Sequence, residues 1–447
     1  MERNDHKHDI RYIPFVTKER EQGYLESNNI EVRDLSNGIK IVSAGRILED
    51  QFTVELRADF ATGAYNDPAG KPGLHHVGEH LICDPDLEEE GSKIDAIING
   101  STSSLTYTFT LDGIANPSVR NFGVWPLLAG FRDSLVNPLG HFTDFDAAIL
   151  KEKGVVLREL AERKNNQEIQ GGEFKYKTIF AKNNPVTNDS GGTPQGLSRI
   201  TRDDIEVLIE KVLIPDKTIV SAFSQGARGL NISVANELSE LFSSFPKTEE
   251  SSHPVDRHLL DLLNPKFDSQ GVFVRRGLNR RPVSYVELVW LMQGQPYSES
   301  SCALDRLTPA LSKKVHDYVR ERRISYWGNF GFEQVGNTQL CYTRFPLQTN
   351  KDIVDNIKSD LIPNIKGIFA NVSESEFTEV IESERLRQLA IPMSTQSRYT
   401  LMISSLIEYG RCIDADHLKQ RYFNVTSEQL KGLRDKILGI EPTVFIL

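Results

Sequence analysis

Cysteine is scarce. The 447 residues contain four, Cys83, Cys302, Cys341 and Cys412, and none stands in C-x-x-C spacing. That spacing suggests neither a disulfide framework nor a thiolate zinc knuckle and leaves buried free thiols as the expectation. Positive charge is also short: 52 Lys and Arg against 62 Asp and Glu give a formal net charge of -10. A chain with so little basic material is a poor phosphate binder, so no nucleic-acid partner is expected. No stretch offers the ~18 consecutive apolar residues of a membrane span. The opening "MERNDHKHDIRYIPF" has no apolar core of signal-peptide length and is rich in acids, which favours an intracellular, cytoplasmic protein. On that reading Asn-x-Ser/Thr triplets such as the one at Asn231 are chance matches.

What is present is 39% apolar and 26% charged residues, a soluble globular profile on a chain too long for a single core. An internal comparison shows how it divides. "TRDDIEVLIEKVLIPDKTIV" from Thr201 matches "TSEQLKGLRDKILGIEPTVF" from Thr426 at a constant offset of 225 residues. Both open with a Thr suited to cap a helix, followed by acids in the first turn. Apolar residues then recur in step (Ile205 and Leu430, Leu208 and Leu433, Val212 and Ile437, Leu213 and Leu438), and Thr218 and Thr443 each start a strand. Each half therefore ends in a helix followed by a strand, which is a duplication signal.

The coarse pattern agrees. "IEVRDLSNGIKIVSA" reads as two strands around a Ser-Asn-Gly turn, and "QFTVELRADF" as a third. Helices are expected around 73–83 and 88–98, a strand over "STSSLTYTFTL", and helices around 118–136 and 145–167. The second half predicts strands near "GVFVRRG" and "PVSYVELVWLM", a helix over 302–322, strands over 325–346, further helices and a closing strand. The expected class is α+β, two duplicated α/β sandwich domains, each a mainly antiparallel sheet packed by helices. The expected division is an extension over 1–28, a first domain over 29–242, a polar, proline-bearing linker over 243–269, and a second domain over 270–447.

The chemistry concentrates in "GLHHVGEHLICD". His76, Glu79 and His80 form H-x-x-E-H, and on a helix positions i, i+3 and i+4 share a face. Two histidines one turn apart suit a single zinc ion, with the glutamate free to take a proton from water. His75 falls on another face and is not expected to be a ligand. A hydrolytic zinc needs a third protein ligand. "ILKEKGVVLRELAERKNN" offers Glu152 and Glu159, two helical turns apart on one face, with Glu159 as the ligand and Glu152 as the carboxylate that orients it or a histidine. Around Ser301 to Arg306, 225 residues after the cluster, there is no histidine. Only the first half is expected to hold metal.

With these residues the chain resembles the inverted-zincin metallopeptidases of the pitrilysin, insulin-degrading enzyme and mitochondrial processing peptidase superfamily, in its short two-domain form. The resemblance runs from about Ile30 to the end. It rests on Gly73 with the pentad, on Glu152 and Glu159, on "NGSTSSLTYTF", on "GTPQGLSRITRDDIEVLIEKVLIPDKTIVSAFSQG", and on "VHDYVRERRISY". It implies a processing-peptidase-like, LuxS-like metallohydrolase fold, with one Zn2+ per chain held by His76, His80 and Glu159 and with Glu79 as general base. It also implies that Arg320, with Arg322 as its competitor, and Tyr326 reach substrate from the second half. An extended peptide would add to the strand at Asn99, Gly100, Ser101 and Thr102. The implied activity is zinc-dependent endopeptidase cleavage of extended or unfolded peptides inside the chamber of a homodimer, or of a heterodimer with a related subunit. The alternatives are one subunit of a heterodimeric peptide-maturation protease and a non-catalytic structural or partner subunit of the same fold.

Overall fold

The computed structural model describes residues 13–47, 52–60, 62–83, 85–103, 106–115, 123–137, 139–140, 142–163, 167–180, 187, 190–212, 218–226, 229–245, 271–274, 283–348, 357–390 and 394–447. Most of the linker stretch, 246–269, lies outside them. Helix α1 (Lys18–Ser27) precedes the first sheet.

Strands β1 (Ile30–Asp34) and β2 (Lys40–Ile47) pair antiparallel around the Ser-Asn-Gly turn. Gly38 takes φ +101 there and donates to the Leu35 carbonyl, a backbone conformation that glycine adopts without strain. In β3 (Thr53–Phe60) Val54, Leu56, Ala58 and Phe60 are buried in the first core, the period-2 pattern of a strand with one face on helices. Next come α2 (Leu74–Ile82), α3 (Pro85–Ser92), β4 (Ile97–Thr102), β5 (Tyr107–Ile114), α4 (Leu127–Val136), α5 (Phe145–Arg163), α6 (Gln167–Ile179), α7 (Pro194–Arg199), α8 (Arg202–Val212), β6 (Thr218–Gly226) and α9 (Leu230–Phe242). The sheet order is β1-β2-β6-β3-β5-β4, with β2 and β6 parallel and the other neighbours antiparallel. Strand β4 is one edge.

The second half repeats this plan. It contains β7 (Val272–Val274), β8 (Val283–Gln293), α10 (Glu299–Glu321), β9 (Asn329–Val335), β10 (Thr338–Gln348), α11 (Ile362–Ala370), α12 (Glu374–Ala390), α13 (Thr395–Tyr409), α14 (Ala415–Phe423), α15 (Ser427–Gly439) and β11 (Thr443–Ile446). Its sheet order is β7-β11-β8-β10-β9. Without β1 the first sheet reads β2-β6-β3-β5-β4, so every strand has a counterpart in the same place. The parallel pair recurs as β7 with β11. The duplicated helix starts also match: Thr426 caps α15 in a box with Gln429, and Thr201 exchanges hydrogen bonds with Asp204 at the start of α8, two orphan donors satisfied reciprocally in each case.

Three local expectations are corrected. The helix expected over 88–98 ends at Ser92, because Asp95 turns to φ +54 and Ile97 enters β4. "STSSLTYTFTL" is not one strand but the end of β4 and the start of β5, between which Ser103 N–H donates to the Thr106 carbonyl and the two hydroxyls lie 2.7 Å apart. The helix expected over 118–136 begins at Leu127, and residues 116–122 lie outside the described residues.

Each half lends a helix to the other. Tyr399, Met402, Ile403 and Leu406 of α13 join Val42, Ala44, Ile219 and Phe223 on the face of the first sheet opposite its own core. In exchange, Ile179 of α6, with Phe180 and Phe174, covers Val289, Leu340 and Phe445 on the second sheet. Lys175 of α6 is buried there, 3.5 Å from Glu287 and 3.7 Å from Glu333. No helix among the described residues is long and apolar enough to cross a membrane.

Candidate metal centre and edge strand

Helix α2 carries the pentad on a side that faces α5. His76 Nε2 and His80 Nε2 are 3.4 Å apart. Glu159 on α5 places Oε2 3.3 Å from His76 Nε2 and Oε1 3.6 Å from His80 Nε2. Donors about 2.0–2.1 Å from a tetrahedral zinc stand about 3.3 Å from one another, so this triangle has the dimensions of three zinc ligands. Burial pushes His76 below the usual imidazole range, against the attraction of Glu79 and Glu159. That favours the neutral ring a metal requires. The donor set, two imidazoles and a carboxylate, therefore fits zinc in size and in ligand type.

Glu152 Oε2 lies 3.3 Å from His80 Nδ1. Of its two expected partners it meets the histidine, leaving Nε2 of that ring toward Glu159 and His76. A carboxylate behind a metal-ligating imidazole fixes its orientation and raises its basicity. Glu79 lies with His76 and His80 in a group whose ligand atoms fall within 4.8 Å of one another. Its Oε2 accepts a 2.6 Å hydrogen bond from the Thr102 hydroxyl at the end of β4.

Among the described residues, strand β4 pairs with β5 alone, with Asn99 opposite Thr110 and Gly100 opposite Phe109. No described strand pairs with its other edge, and Ile97 is 65% exposed. Gly100 permits a close approach between strand and helix: a Cβ there would lie 2.7 Å from Glu79 Cγ and 2.9 Å from Cys83 Sγ. Gly78 does the same toward α8, where a Cβ would lie 2.5 Å from Leu208 Cδ2. Cys83 packs against the first core and burial raises its thiol pKa, so it is a core thiol.

Arg320 sits in the last turn of α10 and Tyr326 in the following loop, 78% exposed. Neither side chain makes a hydrogen bond or ion pair with any described residue. Helix α10 packs on β9, α11, α12, α14 and α15. It lies between β8 and β9 as α2 lies between β3 and β4, and no second metal cluster occurs among the described residues.

Sequence reasoning missed Asp67. Its carboxylate accepts from the backbone N–H of Gly73 and of His75 and from the His75 ring. An acid placed shortly before a helix was the available signal.

No family model matches the chain, and no curated protein matches it in sequence. Its structure does match solved ones. The first half of the periplasmic protease PqqL from Escherichia coli superposes with a TM-score of 0.73 at 13% identity, covering 94% of this chain and 91% of that one. Set against PqqL as a whole, the match covers 94% of this chain but 45% of the longer one. A protease from Helicobacter pylori gives a TM-score of 0.69 at 16% identity, covering 94% and 99% of the two chains. A peptidase M16 inactive domain from Pseudomonas fluorescens gives 0.69 at 14% identity, covering 94% and 97%. With two sheets of one topology and these neighbours, the chain has the M16-peptidase-like fold of these structures, at the size of the first half of PqqL.

Proposed function

We propose that the protein is a zinc-dependent endopeptidase acting on extended or unfolded peptides. The observation that carries this reading is the triangle of His76, His80 and Glu159 donors, 3.3–3.6 Å on a side, with Glu79 beside it and an open strand edge adjoining. Zinc, when bound, supplies a Lewis acid that acidifies water and polarises a carbonyl. Glu152 holds the His80 ring with Nε2 facing the other donors. A peptide laid along β4 gains backbone hydrogen bonds at Asn99 to Thr102, which demands an extended conformation and little sequence. Glu79 takes the proton of the attacking water and returns it to the leaving amine. The Thr102 hydroxyl holds Glu79 toward the strand on which the scissile bond lies.

Arg320 and Tyr326 favour a second subunit. Exposed and without polar partners among the described residues, they suit a chamber closed by a related chain or a second copy, whether homodimer or heterodimer. The non-catalytic reading draws support from the inactive domain among the structural neighbours, but the intact donor triangle weighs against it.

The test is cleavage of an unfolded peptide mixture by the purified chain, followed by mass spectrometry, with Glu79→Gln and a chelator as controls. Cuts abolished by both controls support a self-sufficient metallopeptidase. Cuts that appear only when a related subunit is added support the heterodimer. Zinc binding without cuts in either case leaves the non-catalytic reading.

A further inference from the structure

His75, excluded as a ligand, is not idle. Its ring is 2% exposed, with Nδ1 2.7 Å from Asp67 Oδ1 and Nε2 3.1 Å from the Thr62 hydroxyl. Facing a carboxylate, Nδ1 carries the proton and donates. The same Asp67 oxygen accepts from His75 N–H at 3.0 Å, and the second carboxylate oxygen accepts from Gly73 N–H. Asp67 is 2% exposed at its side chain. One buried carboxylate thus grips the first turn of α2 at two backbone donors and one ring donor. The ring also meets Tyr107 edge-on, with centroids 5.8 Å apart.

The geometry of a helix turns this grip into a consequence for the site. His75 and Glu79 are i and i+4, on one side of α2, and His76 is the next residue along. Fixing the His75 ring fixes the rotation of a nine-residue helix about its axis, and with it the directions of Glu79, His76 and His80. The anchor is itself held from the other half: Tyr65, two residues before Asp67, is buried in the apolar cluster that contains Ile179 and Phe180 together with Val289, Leu340 and Phe445 of the second sheet.

We propose that Asp67 and His75 are a positioning pair that sets the rotation of α2, and so the metal affinity of His76, His80 and Glu159. This rests on the zinc reading of the site. A carboxylate that serves only as a helix cap would add stability without changing how the donors converge.

The experiment measures zinc affinity by chelator competition, and the visible spectrum of the Co2+-loaded protein, for the full chain and for Asp67→Asn and Asp67→Ala. The stability control is Val234→Ala, in α9 on the β2–β6 side of the sheet. The expected result is zinc affinity lower by roughly tenfold or more in the Asp67 variants, the scale on which outer-layer partners act. An altered Co2+ spectrum should accompany it, while Val234→Ala binds as the unmutated chain does despite its own loss of thermal stability. If Asp67→Ala does not fold, Asp67→Asn decides alone. Unchanged affinity and spectrum in a folded Asp67 variant overturn the positioning role and leave the zinc site standing. An unmutated chain that binds no zinc overturns the site reading and the proposal with it.

Discussion

Gly78 and Gly100 show how much of the geometry around the histidine pentad is decided by side chains that are absent. In the sequence Gly78 is a weakness, since a mid-helix glycine costs about 1 kcal/mol relative to alanine. In the fold it admits Leu208 of α8 to a position where a Cβ would stand only 2.5 Å away. Gly78→Ala is therefore expected to destabilise the protein by about 1–3 kcal/mol, the range for overpacking, against the helix propensity it gains; urea unfolding measures the difference. Glu79→Gln keeps the shape and the Thr102 contact but cannot accept the proton. It should abolish cleavage while leaving zinc affinity within a few-fold of the unmutated chain, read by peptide mass spectrometry and chelator competition on the same preparations.

At the scale of elements, β3 and β5 hold an unfavourable pair. Glu55 and Asp112 are directly opposite across the two strands, where like charges destabilise. Burial, with Glu55 adding to it and Arg57 opposing it, pushes the Asp112 carboxyl up from its ordinary 3.8 to about 6. A carboxyl with a raised folded-state pKa binds its proton more tightly in the folded chain, so its contribution is most favourable below about pH 4 and is lost as pH rises through 6. Asp112→Asn removes that loss. Its melting temperature should exceed the unmutated value at pH 7.5, and the difference should vanish at pH 3.5 to 4, as followed by circular dichroism. Strand β4, next in the sheet, gives the other element-scale expectation. Thr102→Val deletes the hydroxyl that holds Glu79 while preserving strand propensity, and it should lower kcat several-fold with little change in melting temperature.

For the whole molecule, the exchange of α6 and α13 makes the two halves interdependent. Tyr399 of α13 is 3% exposed and packs against Phe223 of the first sheet, ring centroids 5.5 Å apart. Its removal acts on a contact between halves. Tyr399→Ala should cost about 3 kcal/mol or more, the usual scale for a large buried ring. Because the contact joins the halves, the loss should appear equally at Trp290 in the second core and at Trp125 against the first. Single-tryptophan variants observed by fluorescence in urea would show coincident midpoints; two separate midpoints would mean that the halves unfold independently.

The α+β class, the duplication and the helix that carries the histidine pentad were legible in the chain before folding. Each of these rests on local spacing: alternation in β3, the i, i+3, i+4 pentad in α2, and the 225-residue match of α8–β6 with α15–β11. Spacing is legible in one dimension because helix and strand periods act between near neighbours. Packing in three dimensions was needed to bring Glu152 to His80, Thr102 to Glu79 and Asp67 to His75 across eight residues, and to trade helices between halves. Those outcomes depend on which elements pack together and how closely, a matter of core shape that brings residues as distant as Phe223 and Tyr399 into contact and leaves no periodic trace in the chain.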